Sequence, residues 1–212
     1  MKFYATLVAV FFTVSCAQAQ IIFGIRAGLN STIFSSKNDG KKSEISEYLK
    51  YKQGFQIGVV GENSFTEKFA SQIGILYTTQ GWKFDFGDIT KSTINLNYLQ
   101  IHVKPMYKYD IGMMKLFFHI SPYFSYALNG KVKGETTIDG NTEKHDRKMI
   151  FGSKNGEMKI WDWGIYFGLG FQLDNIQVGF AHNRGLANLS NVKNASEKIN
   201  GFALTATYLF SK

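Results

Sequence analysis

The sequence predicts an all-β chain: an eight-stranded antiparallel transmembrane β-barrel of up-and-down topology. Three observations predict it. Eight segments alternate apolar and polar side chains, the connectors between them alternate long and short, and charge is nearly absent from the segments. The segments are Ile21–Asn30, Phe55–Glu62, Phe69–Gln80, Tyr98–Tyr107, Leu116–Tyr126, Asp162–Leu173, Ile176–Asn183 and Phe202–Phe210. The connectors hold 24, 6, 17, 8, 35, 2 and 18 residues. Soluble hairpins have no reason to sort in this way. A barrel in an outer membrane does, with short periplasmic turns and long external loops. Both chain ends then face the periplasm.

The first twenty residues agree with export. Lys2 gives a positive start, Ala5–Val14 is a ten-residue apolar run, and Ala17-Gln-Ala19 is a small-x-small site. That is the pattern of a secretory signal peptide, and ten residues are too few for a spanning helix, which needs about 20. Residues 1–19 are therefore expected to be a leader cleaved near Ala19, and residues 20–212 a single barrel domain. Lipidation of Cys16 competes with this reading, although Thr13 stands where such sites usually carry leucine. Cys16 is the only cysteine. Cleavage at Ala19 leaves no disulfide, cysteine metal site or thiol nucleophile.

The first segment sets Phe23, Ile25, Ala27 and Leu29 on one face and Gly24, Arg26, Gly28 and Asn30 on the other. Side chains along a strand alternate faces, so each segment is two-faced. The fourth sets Leu99, Ile101 and Val103 against Gln100, His102 and Lys104. The sixth sets Trp163, Ile165 and Phe167 against Gly164, Tyr166 and Gly168. The last sets Phe202, Leu204 and Tyr208 against Ala203, Thr205 and Thr207.

Charge decides which face meets what. The chain has 24 Lys and Arg and 16 Asp and Glu, yet the segments carry only Arg26, Glu62, Lys104 and Asp162. A water-bathed surface would carry many more. Arg26 and Lys104 have inward parity, and one such cation on the lipid face near the midplane would cost ~2–4 kcal/mol. The glycines also concentrate on the polar face. In a narrow barrel, with an interior just wide enough for side chains, they make room for Arg26, Tyr123 and Tyr166. The expected interior network is Arg26, Glu62, Lys104, Asp162, Gln100, His102, His119, Tyr123 and Tyr166. The expected interfacial aromatics are Trp82, Trp161 and Trp163 at one rim, and Phe69, Tyr107, Tyr109, Phe117 and Phe210 at the other. Pro105 and Pro122 fall inside strands and each removes a ladder donor. A bulge or strand break is expected at each.

Gly24-Ile-Arg-Ala-Gly-Leu-Asn30, Tyr98-Leu-Gln-Ile-His-Val-Lys-Pro105, Pro122-Tyr-Phe-Ser-Tyr-Ala-Leu-Asn-Gly-Lys131 and Asp162-Trp-Gly with Gly168-Leu-Gly170 carry a resemblance. The chain resembles the small outer-membrane β-barrel domain family that includes the PorT-like proteins. The resemblance spans essentially residues 20–212. It implies a barrel, a link to protein secretion for some members, and no catalytic residue.

No chemistry competes strongly with a non-enzymatic integral barrel. His119-Ile-Ser121 is similar to the His-x-Ser pair of outer-membrane lipid A deacylases, and such a pair can activate a hydroxyl. Here parity turns it inward, and no acid shares its strand. An outer-membrane lipid hydrolase using His119 and Ser121, and a soluble periplasmic ligand-binding barrel, stay open as alternatives. No metal-ligand spacing or phosphate loop is present, so neither metal nor cofactor is expected. The net charge of +8, or +7 once Lys2 leaves with the leader, lies outside the segments, chiefly in the connectors. Those runs mix signs and lack a stacking platform, which disfavours nucleic acid. Outer-membrane lipids and lipopolysaccharide are the expected contacts, with connector 127–161 as the surface for envelope or secretion partners.

Overall fold

A computed structural model describes residues 21–39, 41–138 and 141–210. The leader and Cys16 lie outside them. Ten strands form: β1 (Ile22–Asn38), β2 (Lys41–Lys42), β3 (Leu49–Ser64), β4 (Phe69–Phe86), β5 (Thr90–Asp110), β6 (Lys115–Ile138), β7 (Asn141–Lys148), β8 (Trp161–Leu173), β9 (Ile176–Gly185) and β10 (Ala195–Leu209). Eight of them close a ring in the order β1-β3-β4-β5-β6-β8-β9-β10, and β10 pairs back onto β1 from Gly24↔Leu209 to Asn38↔Ala195. Every pairing between these strands is antiparallel. Closure leaves no sheet edge inside the ring, which a bilayer demands because lipid cannot satisfy a free backbone group. No helix among the described residues is long and apolar enough to cross a membrane.

The apolar face points outward. Phe23 and Leu29 are 65% and 67% exposed, while Arg26 between them is 4% exposed. The same alternation holds on β5, with Leu99, Ile101 and Val103 outside and Gln100, His102 and Lys104 buried. A soluble barrel with an apolar lumen is thereby overturned.

The strands run well past the alternating segments. β6 has 24 residues, where a membrane crossing needs about 9–11. Much of the expected third loop is therefore strand: β6 continues to Ile138 and β7 returns against it from Ile138↔Asn141 to Lys131↔Lys148. Likewise β4 and β5 stay paired up to Phe86↔Thr90. The continuation was hidden because a bulge resets the alternation. Tyr98 pairs Ala127 but Asn97 pairs Asn129, so Leu128 is an extra residue. Below it Ser121, Tyr123, Ser125 and Ala127 are buried; above it the buried member is Gly130. One inserted residue exchanges the two faces of a strand.

The prolines behave differently from the expectation. Pro105 and Pro122 lie on one seam, where pairing lapses between His102↔Tyr123 and Met106↔His119. The register is the same on both sides, so there is no bulge. Their outer seams, Ser71↔Pro105 and Pro122↔Ile165, stay continuous. Two missing donors share one gap, and neither strand breaks.

An apolar core forms where the barrel rises beyond its exposed aromatic rim. It contains Phe34, Leu49, Trp82, Ile94, Leu96, Tyr98, Ala127, Met158, Leu189 and Ile199. The segment 149–160 folds over it, held by Met149 N donating to Gly130 O at 2.9 Å and Lys159 N donating to Leu189 O at 2.9 Å.

Candidate functional site

The interior below that core is polar and layered. At the short-turn end Glu62 is the hub. Lys108 Nζ meets Glu62 Oε1 at 2.5 Å. Gln177 Nε2 and Gln72 Nε2 donate to Glu62 Oε2 at 2.6 and 3.1 Å. Lys108 also donates to Gln172 Oε1 at 2.8 Å. Each side chain points inward because alternation on its strand leaves it no other face. A buried carboxylate needs this saturation, since an uncompensated one costs several kcal/mol.

The next layer holds Arg26. It donates to Gln72 Oε1, to Thr207 Oγ1 at 3.0 Å and to His102 Nε2 at 2.9 Å. The guanidinium can only donate, so His102 accepts in that last bond. Lys104 Nζ lies 4.4 Å from the Phe117 ring centroid, a cation–π contact. His119 Nδ1 and Ser121 Oγ are 2.8 Å apart. Gly74 and Gly168 are the spaces that admit these rings: a Cβ at either position would collide with His102 or His119. The third layer joins Tyr123 OH to Asp162 Oδ2 at 3.3 Å and Gln100 Nε2 to Ser125 Oγ at 3.0 Å. The Tyr123 and Tyr166 rings pack with centroids 5.1 Å apart.

Arg26, Glu62, Lys104, Asp162, Gln100, His102, His119, Tyr123 and Tyr166 all face the lumen, but they do not form one ion-pair network. Arg26 reaches Glu62 only through Gln72. Asp162 is fully buried yet pairs with a tyrosine, and no cation lies within ion-pair distance of it among the described residues. The direct partner of Glu62 is Lys108, which sequence reasoning missed. The fourth segment stopped at Tyr107, one residue short, although Lys108 shares the parity of Lys104.

The aromatics need two corrections. Trp82 is not at the rim: it is buried and stacks on Phe34 with centroids 4.0 Å apart. It continues the inward series Gln72, Leu76, Thr78, Gln80 past the point where the third segment stopped. Phe117, expected at the opposite rim, is fully buried beneath Lys104. Trp161 and Trp163 do face outward, about half exposed, and Trp161 packs on Phe124 and Tyr126 at 4.9 and 4.7 Å. At the short-turn end Tyr107, Tyr109 and Phe210 face outward, and Phe69 packs on Tyr107 at 5.2 Å.

The His119–Ser121 pair adjoins a space of about 30 Å³ lined by Arg26, His102, Lys104 and Tyr166. That is room for about one water molecule, not for an acyl chain. Among the described residues no acid orients the imidazole, and the cations Arg26 and Lys104 line the same space. No group of three His, Cys, Asp or Glu side chains is arranged to hold a metal among the described residues.

A family model described as an outer membrane protein beta-barrel domain matches residues 16–191. No curated protein matches the chain significantly. Similar solved structures include the attachment invasion locus protein Ail of Yersinia pestis, in complex with the heparin analogue sucrose octasulfate. It is 17% identical, with 90% of this chain and 99% of that one covered and a TM-score of 0.40. Neisserial surface protein A is 12% identical, covering 89% and 97%, with a TM-score of 0.42. OprG of Pseudomonas aeruginosa is 12% identical, covering 90% and 96%, with a TM-score of 0.37.

Proposed function

The chain belongs to the outer membrane protein beta-barrel domain family, and from that premise we propose that it is a closed, non-enzymatic barrel that carries an external sheet as a contact surface. It resides in the outer membrane. One observation carries the reading: the lumen is filled along its length while strands extend beyond the rim. The polar layers around Glu62 and Arg26 fill the membrane section, and the apolar core around Trp82 and Leu96 fills the section above. A barrel so filled does not conduct. The upper parts of β4, β5 and β6, with β7 added at their side, have a structured surface instead.

The long-hairpin end faces outside in this reading, and residues 1–19 are a leader removed near Ala19. The resemblance of Gly24–Asn30 and Tyr98–Pro105 to PorT-like proteins is what supports a role beside an envelope secretion apparatus. The lipid-hydrolase reading of His119 and Ser121 has no support in the geometry of their surroundings.

Two measurements test the proposal. Purified protein in planar bilayers is expected to give no discrete conductance steps; regular openings would contradict a closed lumen. Replacing Lys131–Lys148 with a short Gly-Ser link is expected to preserve the heat-modifiable gel shift and remove in-cell cross-links to envelope proteins. Unchanged cross-links would contradict the contact role.

A further inference from the structure

The outer face of β5, β6 and β7 forms a set of rungs above the exposed aromatic row. Nearest to Tyr126 and Trp161 is Asn97 with Asn129, whose side chains hydrogen-bond at 2.7 Å. Then come Asn95, Lys131 and Lys148 in one register, then Thr93, Lys133 and Asp146, then Lys91, Glu135 and Lys144. The upper two rungs of the β6–β7 hairpin pair opposite charges, and Lys133 lies 3.7 Å from Asp146. The lowest rung does not. Lys131 and Lys148 stand directly opposite, both exposed, with no carboxylate at ion-pair distance from either among the described residues. Like charges directly opposite on a sheet destabilise it. A single exchange of sign would remove the repulsion, as on the rungs above.

The rung lines a groove of about 870 Å³ with Asn95, Asn97, Asn129, Lys131, Lys148 and Phe151 among its walls and, among the described residues, no acidic one. A second external cleft, of about 630 Å³, also has lysines but includes Asp85, Glu135 and Asp146. There the protein neutralises its own cations. Height separates the two as well. Asn95 is four residues beyond outward-facing Leu99 on β5, about 13 Å along the strand at ~3.3 Å per residue, or ~10 Å in height at a tilt of about 40°. That places the lysine rung just above the hydrocarbon edge, at the level of lipid head groups.

We infer that Lys131 and Lys148, with the carboxamides of Asn95 and Asn129 beside them, hold a phosphate of an outer-leaflet glycolipid head group. The inference rests on the outer-membrane reading above and assigns that lipid contact to one site. The anion converts a repulsive pair into a bridged one. The amides offer donors to its remaining oxygens or to adjoining sugar hydroxyls, and Phe151 gives the sugar an apolar wall.

The test uses the whole barrel in phosphatidylcholine nanodiscs doped with bis-phosphorylated lipid A or with its dephosphorylated form, with co-purifying lipid read by native mass spectrometry. The wild type is expected to retain the phosphorylated lipid preferentially. The double variant Lys131→Gln, Lys148→Gln is expected to retain on the order of tenfold less of it, given the strength of a lysine at an anionic lipid surface. Lys148→Glu is expected to lose retention to the same extent and to raise the unfolding midpoint in lipid-free detergent, because it completes the charge pairing of the hairpin. Equal retention by wild type and either variant, or no preference for the phosphorylated lipid, overturns the site. Displacement by millimolar inorganic phosphate overturns the lipid as its source. Protein that leaves cells by osmotic shock without detergent would sink the membrane reading itself, whereas an embedded barrel that retains no phosphorylated lipid sinks only this site.

Discussion

Below Leu99 the barrel wall is apolar outside and mostly polar inside; above Asn97 it is mostly polar outside and mostly apolar inside. Ile101 and His102 stand for the first region, exposed and buried respectively. Lys131 and Leu96 stand for the second, also exposed and buried. Antiparallel strands with alternating faces build both, although β8 and β9 end at the rim and the ring closes only in the first. What reverses the faces is the solvent. Hydrocarbon accepts Phe and Ile on the outside and leaves polar groups to satisfy one another within. Water reverses the demand, and the upper barrel buries Trp82, Leu96 and Leu189 like any soluble core. The chain is two folding problems on one set of strands, joined near the bulge at Leu128.

Breaking each interior is the strongest way to sharpen that contrast. Glu62→Ala strands Lys108 in the lower lumen and is expected to cost about 3–5 kcal/mol. Urea titration of the heat-modifiable band measures it. Removing both charges together, Glu62→Gln with Lys108→Met, should cost clearly less. Leu96→Ala in the upper core is expected to cost ~2–5 kcal/mol. Because that core stands outside the bilayer, limited proteolysis should show the hairpins of β5, β6 and β7 loosening while the embedded ring stays resistant. An outward arginine should separate the regions cleanly. Ile75→Arg, on the lipid face, is expected to cost ~2–4 kcal/mol in folding into vesicles, while Gln53→Arg, exposed on the upper outer face opposite Ser31, should lie within about 0.5 kcal/mol of wild type.

The smallest effect is electrostatic and confined to the upper region. Lys50 Nζ donates to Asp85 Oδ2 at 2.5 Å and holds that carboxyl below its ordinary value of 3.8. A depressed carboxylate pKa favours the folded pairing at pH above the ordinary value and loses it as pH falls through the folded one. Protection from hydrogen exchange around Lys50 and Asp85, taken relative to the intrinsic amide rate at each pH, should therefore be flat from neutral pH down to about that ordinary value and fall only below it. Asp85→Asn should abolish the acid step. The surface position keeps the effect small.

The membrane section was legible in the sequence because one rule governs it: alternate residues face lipid. Arg26, His102, Tyr123 and Tyr166 could be assigned to the lumen by counting. The hydrogen bonds could not be, because a strand's parity gives a residue's face but not its cross-lumen partner. Gln72 between Arg26 and Glu62 is the example. Lys108 and Trp82 were misplaced for a different reason. Each lies just past the end of an apolar segment, where the contrast between the faces fades and alternation alone must be trusted. The extended β6–β7 hairpin was illegible because its outer face is charged, its inner face carries Gly130 and Gly134, and Leu128 shifts the count by one.

The reversal of faces can be watched directly along the outward residues of β5. Single nitroxide labels at Val103, Ile101, Leu99, Asn97, Asn95 and Thr93, in vesicles, report collision with oxygen in lipid or with a water-soluble nickel complex. Oxygen contact should dominate from Val103 to Leu99, and nickel contact should take over from Asn95 to Thr93. Nickel reaching Ile101 and Val103 as freely as Thr93 would contradict it.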